Sequence, residues 1–114
     1  MQNNLLNYKY DMGKMAEKTV VVIDSDLMDI VPAFLDEWKQ DIGPMRKALK
    51  KGDYETIRKL GHNLKGVGGS CGFDTITEMG ASLETAAKNK NFDLTAKMIE
   101  SLFFYLDHVE VIFE

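Results

Sequence analysis

Chemistry in this chain points first to His62. It is set in the run Leu60-Gly61-His62-Asn63-Leu64-Lys65-Gly66-Val67-Gly68-Gly69-Ser70-Cys71-Gly72, which carries the period of a helix and yet holds five glycines. A free imidazole titrates at about pH 6.5, so at neutral pH one ring nitrogen offers a lone pair, and neutral histidine is a competent nucleophile toward an activated phosphoryl group. Each glycine inside a helix costs about 1 kcal/mol against alanine. Gly61, Gly66, Gly68 and Gly69 therefore need an offsetting gain, and their placement around the helix says what it is.

With roughly 100° between successive residues, Ile57, Leu60, Leu64, Val67 and Cys71 form one apolar stripe, and His62 projects about 180° from its centre. Gly66 and Gly69 share the outer face with His62, flanked by Lys65, Arg58 and Glu55. The imidazole thus stands beside a strip nearly free of side chains, which a docking macromolecule needs if its reactive atom is to come within bonding distance. Gly61 and Gly68 point toward the stripe instead, which predicts close approach of a neighbouring helix. Between Arg46 and Lys65 seven basic residues stand against Asp53 and Glu55, leaving +5, whereas the rest of a chain of net charge −4 sums to −9. A basic segment around His62 suits an anionic ligand or an acidic partner pocket; a merely solvated helix surface is the plainer alternative.

With Lys65 at +3, Gly66 at +4 and Gly72 at +10, the segment resembles the phosphorylatable helix of histidine-containing phosphotransfer (HPt) domains, whose motif reads roughly His-x-Leu-Lys-Gly, then Gly. Glu84, in Leu83-Glu84-Thr85-Ala86, stands where that family usually places a Leu-Glu pair on the next helix, and the resemblance runs from about Asp24 to Glu114. It implies that His62 is the phosphoacceptor, its Nε2 exchanging a phosphoryl group in either direction with the aspartate of a response-regulator receiver domain. Mg²⁺ is then expected on that receiver, with no cofactor on this chain, and a histidine kinase or hybrid kinase is the other expected partner. Lys65, about one turn from His62, is expected to offset phosphoryl charge. Arg58 is a second candidate for that task, and Gly66 and Gly69 are expected to keep the partner surface open. Glu84 either accepts Nδ1–H of His62, if the two helices pack antiparallel, or pairs with Lys88 at i+4.

No phosphate-cradling Gly-x-x-x-x-Gly-Lys loop occurs and no carboxylates cluster near His62, so the chain is expected to carry the group without binding nucleotide or phosphorylating itself. It would be classed with the kinases only as a piece of a hybrid sensor kinase. A phosphorylation-independent helical adaptor, using the bare strip without chemistry, is the competing reading. An acid/base enzyme built on His62 and Glu84 would need a concave pocket, and a glycine-stripped helix face is expected to be flat or convex. Two histidines and one cysteine give no metal-ligand spacing. Cys71 belongs to the apolar stripe as an inert thiol, and His108, beside Asp107 and Glu110, reads as surface.

The elements that must position these residues are helical. Asp24-Ser25-Asp26 offers N-cap chemistry for a stripe of Leu27, Ile30, Val31, Phe34, Leu35, Trp38 and Ile42, with Pro32 early in it and Gly43-Pro44 expected to break it. Met45 to Lys51 makes a short helix; Asp53 caps the His62 helix, which runs from Tyr54 to Cys71 and stops at Gly72. Phe73 begins the next, with Thr75 and Glu78 spaced as a capping box. Asp93 can cap the last, whose stripe Met98, Ile99, Leu102, Phe103, Leu106, Val109 and Phe113 is the most apolar. Thr19 to Ile23 is β-branched but has no evident strand to pair with. The expected fold is all-α: an antiparallel up-down four-helix bundle with an additional N-terminal helix packed across it.

At 114 residues there is room for one core, assigned to 19–114, with 1–18 as an N-terminal extension. Hydrophobic residues at 45% and charged ones at 28% are ordinary for a globular chain, and no apolar run approaches the roughly 18 residues of a membrane span. Without a secretory signal at Met1 to Leu6, the cytoplasm is the expected compartment. A monomer with no nucleic-acid or membrane partner is expected.

Overall fold

The structure is a computed structural model and describes residues 19–114; the expected extension at 1–18 lies outside the described residues. Four helices carry it: α1 Val31–Lys51, α2 Tyr54–Cys71, α3 Asp74–Lys88 and α4 Phe92–His108. Each connection between them is two or three residues long, which forces antiparallel neighbours. α1 packs on α2 and α4, and α3 packs on the same two, closing the bundle. Gly52 and Gly72 end α1 and α2 in the left-handed conformation, at φ 72° and 85°. Asp53 caps α2 through Thr56 N–H, as expected, but Asn91 rather than Asp93 caps α4, accepting from Leu94 N–H. Thr75 is not the N-cap its spacing from Glu78 suggests: α3 starts at Asp74, Thr75 lies inside it, and the N-cap is Phe73, whose hydrocarbon ring cannot cap and is instead buried against Trp38.

The additional N-terminal helix is absent as a separate element among the described residues. The stretch assigned to it and the short Met45–Lys51 helix are one helix, α1, with Pro44 in its interior. Trp38, Ile42, Met45 and Leu49 explain this: all four are buried, at spacings of four, three and four, so one apolar stripe runs through Gly43-Pro44 without a change of phase. An interior proline costs about 3 kcal/mol, and burying large side chains on both sides of it, at about 1.5–3 kcal/mol each, outweighs that. Pro32 lies in the first turn, where its missing N–H is harmless. Asp24 caps a single 3-10 turn, Ser25–Leu27, instead of α1.

Thr19–Ile23 (β1) does find a partner, and it is the end of the stripe read as helical. α4 stops at His108, and Val109–Phe113 (β2) pairs with β1 in parallel, Thr19 opposite Val109 and Ile23 opposite Phe113. β-branched Val109, Val111 and Ile112 lose side-chain freedom in a helix and pack well on a pleated surface once a second strand lies alongside. Val21, Ile23, Val109, Val111 and Phe113 join the core, while Val20, Val22 and Ile112 face outward.

Candidate functional site

Close contact between α2 and α3 builds the site. A Cβ at Gly61 would lie 2.9 Å from Glu84 N and from Gly80 O; one at Gly80 would lie 2.6 Å from Lys65 N and 2.7 Å from Gly61 O. A Cβ at Gly68 would come within 2.7 Å of Ile76 Cγ2. Only glycine lets the two backbones touch at such distances. Gly61 precedes His62 in sequence and abuts Glu84 in space, so this contact carries the Glu84 carboxylate across to the imidazole.

His62 Nδ1 donates to Glu84 Oε2 at 3.0 Å, and Lys65 Nζ lies 3.0 Å from Glu84 Oε1. The Lys65 ammonium first, and the His62 bond after it, hold the Glu84 carboxyl below the usual glutamate range against a partial desolvation that works the other way. An ionised carboxylate can only accept, so the proton between them sits on Nδ1. Nε2 is then the nitrogen with the lone pair, on a side chain that is 65% exposed, whereas Glu84 is 18% exposed. Of the alternatives for Glu84, the structure has the one directed at α2, where both of these partners lie.

The Arg58 guanidinium is bonded to both oxygens of Glu55, at 2.9 and 2.8 Å. Lys65 is likewise engaged, on Glu84. Gly66 borders open space, with nothing within 4 Å of a would-be Cβ, while at Gly69 that atom would meet Thr77 Oγ1 of α3 at 3.4 Å. Cys71 is buried, and burial pushes its thiol up, away from the reactive thiolate. His108 is partly buried rather than free on the surface: its ring stacks on Phe104 and its Nδ1 donates to the Phe104 carbonyl at 2.8 Å. Among the described residues no cluster of three or more His, Cys, Asp or Glu could hold a metal ion, and no helix is long and apolar enough to cross a membrane.

The surface beside His62 is not flat. A groove of about 480 Å³ runs along it, walled by His62, Asn63, Gly66 and Val67 of α2 on one side and by Leu27, Ile30 and Phe34 on the other. Those last three read from sequence as members of the first core stripe; in the structure Ile30 is 46% exposed and its neighbour Met28 51%. The signal was present in Leu27, Met28, Ile30, Val31, Phe34 and Leu35, which spread over more of a helix than one buried face can cover.

No curated protein and no solved structure matches the chain. The family model for the Hpt domain matches residues 29–111, most of the chain and all four helices. Hpt domains are the histidine phosphotransfer modules of two-component phosphorelays, phosphocarriers rather than enzymes, and they work with receiver domains and kinases. With 83 of its 114 residues inside that match, the chain belongs to the Hpt domain family.

Proposed function

We propose that His62 is the phosphoacceptor of this chain and that it exchanges a phosphoryl group with the aspartate of a response-regulator receiver domain. The observation that carries this is the 3.0 Å bond from His62 Nδ1 to Glu84 on an otherwise exposed ring. With Nδ1 committed, the Nε2 lone pair attacks the phosphorus of the receiver's aspartyl-phosphate. The N–P bond forms as the bond from phosphorus to the aspartate oxygen breaks, and the aspartate leaves as a carboxylate with that electron pair. No proton has to move. The ring keeps its Nδ1–H and becomes cationic, and the adjacent Glu84 carboxylate offsets the new charge. The reverse step returns the group to a receiver aspartate.

Lys65 has two tasks in this reading: it orients Glu84, and it supplies positive charge one turn from the incoming phosphoryl group. Gly66 keeps the approach clear, and Gly69 and Arg58 border the covered surface. Mg²⁺ belongs to the receiver's acidic pocket, and a histidine kinase or hybrid kinase stands upstream in the relay. The test is to mix the protein with a phosphorylated receiver domain and assay acid-labile, base-stable phosphate. The wild type should take label and His62→Gln should take none while keeping its helical circular dichroism. Label persisting on the folded His62→Gln protein would put the acceptor elsewhere.

A further inference from the structure

One side of the groove beside His62 is supplied in part by chain that precedes α1. Leu27 and Ile30 belong to the turn between β1 and α1 and line the groove opposite Gly66, Leu27 half-buried against the core and Ile30 exposed. Within itself the turn is closed by short-range bonds: Leu27 N donates to Asp24 O, Met28 N to Ser25 O and Ile30 N to Leu27 O. Its direction relative to α2 is fixed from below. Ser25 N donates to Glu114 O at 2.8 Å and Glu114 N donates to Ile23 O at 3.0 Å, so the end of β2 brackets the start of the turn. Ile23, buried, places its Cδ1 3.5 Å from where a Cβ at Gly72 would lie, at the end of the His62 helix.

A two-stranded parallel sheet is marginal on its own, and this one is anchored to the bundle through Ile23, Val109 and Val111, which fixes where the turn after β1 can lie. β1 and the turn as far as Met28 also fall outside the residues matched by the Hpt family model. Resting on the reading of His62 given above, we propose that β1–β2 is a positioning device for the partner: it holds Leu27 and Ile30 across the groove from His62 as the apolar half of the receiver-docking surface. The occupant follows from geometry. His62 itself lines the groove, so a receiver whose aspartyl-phosphate reaches Nε2 has to cover it. Gly66 leaves the α2 side low, and the exposed apolar side chain of Ile30 stands on the opposite wall. Exposed Asp24, Asp26 and Asp29 rim that wall, which selects a receiver face with an apolar centre and basic residues on the side toward the turn.

Three variants test it. Ile30→Glu puts charge into the wall at an exposed position. Ser25→Pro deletes the N–H that reaches Glu114, at a site where the preceding Asp24, at φ −55° and ψ 131°, already has the backbone that a following proline needs. Truncation after Phe113 removes the acceptor instead. Each is assayed with the receiver domain that transfers fastest to the wild type, and with phosphoramidate, which phosphorylates an exposed imidazole with loss of ammonia and needs no docking. Transfer from the receiver should fall about tenfold for Ile30→Glu and about threefold for each of the other two, through a raised apparent KM, while labelling by phosphoramidate stays at the wild-type rate. In the Ile30→Glu background Ser25→Pro should add nothing further, because both act on one wall. Wild-type receiver transfer by Ile30→Glu overturns the docking wall. Wild-type transfer by both Ser25→Pro and the truncation overturns the positioning role of the sheet. A wild-type protein that takes no label from either donor would instead overturn the reading of His62 itself.

Discussion

Gly61 and Gly66 lie on one helix and do opposite things. At Gly61 another backbone crowds the place of the missing side chain, with Glu84 N and Gly80 O both 2.9 Å from where a Cβ would be. At Gly66 none of the described residues comes within 4 Å of where the side chain would begin. The first glycine acts inward: it lets α3 close on α2 and so delivers Glu84 to His62. The second faces outward, where the helix surface beside His62 stays bare, as the proposed docking of a partner needs. A residue type that weakens helices is thus used once for internal assembly and once for access.

The sharpest way to break this comparison is to put the same methyl group on both sides of the helix. Gly80→Ala lies on the inward side, with Lys65 N and Gly61 O at 2.6 and 2.7 Å from the added carbon. Both are backbone atoms, so neither can step aside cheaply. Alanine gains about 1 kcal/mol of helix propensity, yet forced separation of the helices should leave a net loss of about 2–3 kcal/mol. Urea denaturation measures it; an unchanged midpoint would mean that the α2–α3 contact is looser than described. Gly66→Ala should do the reverse and raise stability by about 0.5–1 kcal/mol, since the methyl meets nothing. Its effect should appear in slower phosphoryl transfer from a receiver domain. Gly43→Ala is the control: its site is equally open and lies on α1, so it should stabilise by about the same amount without changing transfer.

The inward and outward glycines were both legible in the sequence, because the helical period alone sorts Gly61 and Gly68 from Gly66 around α2. His62 as an exposed imidazole, Cys71 as a buried thiol and the helix stop at Gly72 were legible for the same reason. Gly69 was only half legible: period puts it beside Gly66, but its approach to Thr77 depends on how α3 crosses α2. What failed were judgements that weighed a local signal against a distant one. Gly43-Pro44 is a strong local breaker, and it lost to a buried stripe that continues through it in phase. Val109 and Phe113, four apart, suit a helix face as well as alternate positions of a strand, and the arbiter, β1, lies some ninety residues away in sequence. The groove wall at Leu27 and Ile30 was hidden by the same ambiguity, since a core stripe and an exposed patch are written in the same residues.

The smallest expected effect concerns the charge that the inward contact brings to His62. The Glu84 carboxyl is held below the ordinary glutamate value by Lys65 and, secondarily, by His62. A depressed carboxyl contributes stability that is fully present above its unfolded value, about pH 4.3, and is lost as pH falls through the lower folded value. Lys65 is 40% exposed, so solvent screens much of the pair and the contribution stays small. The melting temperature of the wild type should therefore exceed that of Glu84→Gln slightly at neutral pH, and the gap should close only below the unfolded glutamate value. The same substitution should slow transfer at neutral pH by about tenfold, because the amide is a poorer acceptor for Nδ1–H and cannot offset the cationic ring. A gap that stayed the same below the unfolded glutamate value would mean that the Glu84 carboxylate is not what the stability difference reports.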